Sequence, residues 1–455
     1  MNPGKAISPL DGRYRAKVAH LSSYFSEYAL VKKRCEVEIK YLLELNKTNL
    51  FRKLPEEKVV LARKVSEHFN EKDYSRIKEI EKEINHDVKA CEYFLKEKLS
   101  LDRVENMIHF GLTSEDINNL AYTSLFKEFL ENEHLPILRT LLLKLIQLAE
   151  KWKKIAMPAR THGQKASPTT AGKEIAVFIS RLLRYYEKLD NFRFQAKLNG
   201  ATGNFSAMEV AFPSFDWCTF SIKFIENMDF DVNLATTQIE DHDAWADYFN
   251  IAAQINNIIL DMNRDIWLYI SHELFLQRSR SADVGSSTMP HKINPINFEN
   301  SEGNIMLANC LLRFMADMLC TSRMQRDLSD STVERNIGVA FSHTYLALDQ
   351  TLQGLQKLKI NQEKCKQDLK NSPELLAEPV QSILRSADVN KPYEMVKLMT
   401  RGKKIGKDFI EELISRLNLK KRYVKKLRSL SVDEYTGKAT KICEEIIAKA
   451  KEKIR

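Results

Sequence analysis

Hydrophobic positions recur with helical spacing along most of the chain. The clearest run is Trp245 to Leu276, where Tyr248, Ala252, Ile255, Ile259, Met262, Ile266 and Tyr269 alternate steps of four and three. That alternation is a heptad seam and predicts one long helix packed against others. Leu138, Leu141, Leu142, Leu145 and Leu148 form a second stripe, and Val177, Leu182, Leu183 and Tyr186 a third. Tyr24 to Leu45 and Val59 to Phe69 carry the same spacing nearer the N-terminus. Only 14 Gly and 12 Pro punctuate 455 residues, too few for a chain built on many turns. The pattern predicts an all-α protein of three helical domains: residues 1–111, a central long-helix bundle over 112–355, and a C-terminal domain over 356–455. Bundles of this kind bury leftover apolar faces against other subunits, so self-association is expected.

Composition narrows the class. With 44% hydrophobic and 29% charged residues the chain reads as ordinary globular protein. The first fifteen residues hold no apolar stretch with a cleavage site, and charges interrupt the most apolar runs, so neither a secretory signal nor a membrane span is expected. Seven cysteines with no C-x-x-C spacing point to reduced, mostly buried thiols in a cytoplasmic protein. The net charge of +9 resides in residues 401–455, where 17 Lys and Arg face eight Asp and Glu. A basic tail can grip nucleic acid, but no aromatic interleaving accompanies these charges. A solvated helix face is the simpler reading, and no nucleic-acid partner is expected.

Six polar interruptions break the helical pattern. Gly285-Ser286-Ser287-Thr288-Met289-Pro290-His291-Lys292-Ile293-Asn294-Pro295 is a loop, because each Pro removes a donor and pushes its predecessor out of helix. No other Pro occurs from Ser214 to Ser372, so this loop stands between long rigid elements, the usual setting for binding groups. Asn85-His86-Asp87 gathers three hydrogen-bonding tips; alone it reads equally as structure. Thr113-Ser114-Glu115-Asp116 is a helix start, with Thr113 or Ser114 as cap and a ready anion site at the same end. Met157 to Gln164 places His162 before Gly163 in a Pro-bounded loop, and Thr236 to His242, holding Gln238, precedes the heptad helix. Arg323, Arg326 and Arg335 cluster with Ser331 and Thr332, forks suited to carboxylate or phosphate unless Asp327, Asp330 and Glu334 neutralise them.

Several chemistries are excluded by motif. There is no H-E-x-x-H, Cys/His metal cluster, P-loop, G-x-G-x-x-G or G-x-S-x-G. What remains suits a multiply anionic substrate and proton transfer with no metal or cofactor.

The loop 285–295 resembles the signature loop of the fumarase/aspartase superfamily, whose members release fumarate from a succinyl unit. Fumarase, aspartase, argininosuccinate lyase and carboxymuconate cycloisomerase carry close versions of it. Asp11-Gly12-Arg13-Tyr14, Asn85-His86-Asp87, Thr113 to Asp116, Arg160-Thr161-His162-Gly163, Thr236 to Glu240 and Arg326 to Thr332 resemble, within it, the bacterial adenylosuccinate lyase family. That resemblance implies an all-α homotetramer with active sites assembled from three subunits, acting on adenylosuccinate and on the succinylated aminoimidazole carboxamide ribotide (SAICAR).

The same resemblance implies roles. Ser286 is the base, with Ser287 beside it as the alternative, and His162 the general acid. Lys292 and Asn294 hold carboxylate oxygens, and Thr113, Ser114 and Gln238 fix the succinyl part. Arg13, Tyr14, Ser331 and Arg335 grip the phosphate end with Arg326 near; His86 and Asp87 orient the substrate or support His162. Asn85 and Asn300 complete the binding set. A serine base needs an environment that lowers the cost of its alkoxide, which Lys292, loop N–H groups and exclusion of water would supply. Argininosuccinate lyase activity, and a silent structural homologue of the lens-crystallin kind, are the competing readings.

Overall fold

The computed structural model describes residues 3–100, 105–278, 289, 292–400 and 409–454. Helices dominate, and six of them matter most below: α1 (Glu27–Lys47), α2 (Asp87–Leu99), α3 (Ser114–Phe129), α4 (Asp243–Ser271), α5 (Ile296–Leu319) and α6 (Ile337–Lys357). The heptad seam of α4 is buried from Tyr248 through Ile266, as its spacing requires. Tyr269 is half-buried. The helix ends at Ser271, before the expected Leu276: Glu273 adopts a left-handed φ of 61°, and Phe275–Gln277 pairs antiparallel with Leu358–Ile360. The second stripe, Leu138 to Leu148, is buried throughout, whereas Val177 of the third is exposed and Phe178 and Ile179 are buried in its stead.

Two compact units share the chain. One comprises residues 1–137, 188–257 and 303–347; the other comprises 138–187, 258–302 and 348–455. The division falls inside α4, α5 and α6, so each of these helices serves both cores. In the first unit Asn256 donates to Asn309 Oδ1 (3.0 Å) and Thr344 Oγ1 (3.1 Å). In the second, one heptad on, Asn263 donates to Ser301 Oγ and Thr351 Oγ1, each at 2.9 Å. Buried amides satisfied this way fix the register of three helices that apolar packing alone would allow to slide.

The second unit departs most from the helical expectation. Residues 157–164, expected as a loop, lie in a hairpin of β1 (Ala156–Thr161) and β2 (Gln164–Thr170). His162 and Gly163 form its two-residue turn with φ of 52° and 75°, the pair of positive values a type I′ turn needs. Arg160 Nη1 closes the turn on the Gly163 carbonyl at 3.0 Å. Three two-stranded sheets are the extent of β structure among the described residues. No helix among them is long and apolar enough to cross a membrane. Of the cysteines, Cys35, Cys91, Cys365 and Cys443 are buried, while Cys218, Cys310 and Cys320 are exposed.

Candidate active site

Four polar motifs converge within the first unit, two of them carried there by helix termini. Asn85 and His86 form the link between two helices. Asn85 takes a left-handed conformation (φ 54°) and its N–H closes the helix Glu71–Ile84 on the Glu81 carbonyl at 2.7 Å. His86 then caps α2, its Nδ1 accepting from the Lys89 N–H at 3.2 Å. Thr113 caps α3, and its N–H donates to the Asp116 carboxylate at 2.8 Å.

These ends border a cavity of about 450 Å³ with a mainly polar lining. His86, Asp87, Thr113, Ser114, Gln238, Arg326, Ser331 and Arg335, all expected at the site, line it together. Asn85 is spent on its cap and does not line it. Arg13 is exposed and Tyr14 half-buried in the turn that leads into the short helix Arg15–Val18; their neighbours Asp11 and Arg15 line an adjoining cavity that Arg335 also borders. His162, Lys292, Asn294 and Asn300 belong to the second unit, where His162 and Lys292 are exposed. Ser286 and Ser287 lie outside the described residues.

Sequence reasoning missed Arg34, Asn118 and Tyr122 of the lining. Arg34 sits in the buried face of α1 beside Val31 and Cys35 and is 4% exposed. Its guanidinium donates to Asn118 Oδ1 (2.9 Å) and pairs with Asp87 Oδ2 (2.9 Å). Burial would raise the Asp87 carboxyl, but Arg34 outweighs it and holds the group below its ordinary value. The only signal in the sequence was a lone cation within an apolar stripe.

Part of the lining belongs to a largely buried charge network. Arg326 pairs with Glu115 at 3.0 Å, and Asn118 donates to the same carboxylate at 2.7 Å. His242, wholly buried, sits 3.4 Å from Glu334, in ion-pairing range but without a well-formed hydrogen bond. Burial would lower the His242 pKa, yet Glu334, Glu240 and Glu115 together raise it. Burial raises Glu115, and Glu334 adds to that against the opposing pull of Arg326. Of the three acids that the sequence sets against these cations, Asp327 pairs with Arg323 at 3.2 Å, Asp330 lies 4.0 Å from Arg326, and Glu334 faces His242 instead. Arg335, whose Nη1 donates back to the Ser331 carbonyl at 2.5 Å, stays exposed at the cavity edge. No group of His, Cys, Asp and Glu among the described residues has metal-holding geometry.

Comparison with known proteins agrees with the fold and the motifs. A family described as Lyase matches residues 12–310, and one described as Adenylosuccinate lyase C-terminal matches residues 322–436. Among solved structures, a fumarate lyase from Mesorhizobium sp. BNC1 superposes with a TM-score of 0.78 at 17% identity, covering 94% of this chain and 97% of that one. The 3-carboxy-cis,cis-muconate lactonizing enzyme of Pseudomonas putida gives 0.76 at 18% identity, over 96% and 98% of the two chains. The match to the Lyase family over residues 12–310 makes the chain, with its helical architecture, a lyase of the fumarase/aspartase superfamily. The adenylosuccinate lyase of Haemophilus influenzae is 42% identical over 97% of this chain and 98% of its own length. That of Escherichia coli is 41% identical over the same shares. The chain belongs to the adenylosuccinate lyase family.

Proposed function

We propose that the protein eliminates fumarate from adenylosuccinate to give AMP, and from SAICAR to give AICAR, as a cofactor-free carbon–nitrogen lyase of purine nucleotide biosynthesis. The observation that carries this reading is the lining of one cavity by two chemically distinct groups. Arg326, Ser331 and Arg335 offer cations and a hydroxyl on one stretch; Thr113, Ser114 and Gln238 offer hydroxyls and an amide on others. A substrate with a phosphate at one end and a succinyl dicarboxylate at the other matches that division.

In the reaction a base takes the proton from the carbon next to a carboxylate. The freed electron pair forms the carbon–carbon double bond of fumarate, and the carbon–nitrogen bond breaks. The purine amine leaves with a proton from the acid. Ser286, with Ser287 beside it, is the proposed base and His162 the proposed acid. Lys292 and Asn294 hold the carboxylate on which charge develops, and Asn300 borders it. Arg13 and Tyr14 join Arg335 at the phosphate, and His86, held by its own cap, orients the substrate with Asp87. We assign the active form as a homotetramer whose sites draw residues from three subunits, at work in the cytoplasm. Purified protein mixed with adenylosuccinate, followed by ultraviolet absorbance and fumarate release, should yield fumarate and AMP in equal amounts. No conversion would overturn the reading, and release of fumarate from argininosuccinate alone would reassign the enzyme within its superfamily.

A further inference from the structure

Lys197 is fully buried and absent from the cavity wall, yet it touches what holds two of that wall's sides. All three ammonium donors are used. Nζ reaches Asp116 Oδ1 at 3.1 Å, the Gly200 carbonyl at 3.1 Å and the Gln238 carbonyl at 2.6 Å. Asp116 is the residue that receives the Thr113 N–H, and it also accepts from the N–H groups of Asn199 (3.0 Å) and Gly200 (3.1 Å). The Lys197 backbone is clamped too, its N–H donating to Asn119 Oδ1 at 2.9 Å and its carbonyl accepting from Asn119 Nδ2 at 3.1 Å.

The turn after Lys197 leaves no slack. A side chain on Gly203 would bring its Cβ within 2.2 Å of the Thr236 carbonyl, and one on Gly200 would come within 3.1 Å of the Gly111 carbonyl. Gln238 Nε2 completes the arrangement by donating to the Ala201 carbonyl at 3.2 Å. One ammonium therefore links the start of α3, the turn 199–203 and the segment carrying Gln238. A buried, fully coordinated Lys gives a fixed spacing that apolar contacts between irregular segments do not supply.

We propose that Lys197 is a positioning residue that sets the distance between Gln238 and the Thr113–Ser114 pair, and so the fit to the dicarboxylate end of the substrate. The inference rests on the lyase reading above. No bond from Lys197 itself goes to residues 322–336; those residues are reached only at one remove, through the Gln238 N–H on the Gln325 carbonyl (3.3 Å) and Glu115 on Arg326 (3.0 Å), so the dicarboxylate end should suffer first and most. Lys197→Met removes the cation and keeps the bulk, while Asp116 retains its three backbone donors. Gly203→Ala disturbs the same spacing with the ion pair intact.

The test compares adenylosuccinate turnover with competitive inhibition by AMP, which has the phosphate end and lacks the succinyl group. Both variants should lose kcat/KM for adenylosuccinate by about a hundredfold, the scale of an ångström-level misplacement. The AMP inhibition constant should weaken far less than kcat/KM, because the phosphate end is reached only through those second links. Equal loss on both measures, or no loss in a folded variant, overturns the proposal. Should Lys197→Met fail to fold by circular dichroism, Gly203→Ala decides alone by the same two measures. Wild-type protein without fumarate release would instead sink the lyase reading itself.

Discussion

Arg34 Nη1 lies 2.9 Å from Asp87 Oδ2, joining the middle of α1 to the first turn of α2 beside the candidate site. The guanidinium is buried while the carboxylate keeps a third of its surface, so the pair fixes the place of Asp87 without hiding it. Arg34 Nε reaches Asn118 from the same plane, which brings α3 into the arrangement.

Replacing Arg34 with Met should therefore act on stability and turnover together. Loss of a buried partner costs about 3 kcal/mol, the lower end for such pairs because Asp87 regains water. Urea unfolding should report that loss, and kcat/KM should fall as Asp87 and Asn118 drift. Asp87 is held below its ordinary pKa, so its contribution is present above the unfolded value and fades as pH falls through the folded one. A variant with unchanged unfolding midpoint at neutral pH would mean the pair is not worth its desolvation.

His162 occupies a left-handed turn position that Asn also tolerates. His162→Asn should keep the hairpin and its thermal midpoint while removing the proposed acid. Turnover of adenylosuccinate is then expected to drop by about 10²- to 10⁴-fold, the usual worth of a positioned proton donor. Retained activity would take His162 out of that role.

Ser286→Ala should abolish turnover and leave adenylosuccinate binding near the wild-type value, measured by calorimetry on the inactive variant. The serine is asked for a proton transfer and for little ground-state affinity, so the two readouts separate. Full turnover in Ser286→Ala together with loss in Ser287→Ala would move the base by one residue.

The seam of α4 and the Leu138–Leu148 stripe were legible because helical periodicity is a local property of the sequence. The polar motifs were legible as chemistry, since hydroxyls, amides and cations gathered between apolar runs declare themselves. Arg34 and Lys197 were not. Each looks like an ordinary cation until folding brings a partner from far away, 84 residues in the case of Arg34 and Asn118. The β1–β2 hairpin was missed because Pro158 and Pro168 read as loop punctuation, yet short two-stranded ribbons tolerate Pro at positions that need no donor. The end of α4 was misplaced because the apolar run carries on past Ser271 and changes only its partner.

His134 gives a pH test that is independent of the active site. Its ring is buried between Phe129 and Tyr248, with Nδ1 3.0 Å from the Tyr248 hydroxyl and no partner for Nε2 among the described residues. Burial alone pushes its pKa down to about 4, so the folded protein keeps the ring neutral where the unfolded chain protonates it at about 6.5. The sign follows: above the unfolded value His134 contributes no slope, and from there down to about pH 4 protonation favours the unfolded chain. Below both values the loss levels off at roughly 3 kcal/mol, the free-energy equivalent of the gap between the two pKa values. His134→Phe should therefore unfold at a higher urea concentration than wild type at pH 5, relative to the difference between them at pH 8. A difference that stays constant between those two pH values would show that His134 does not remain neutral in the fold.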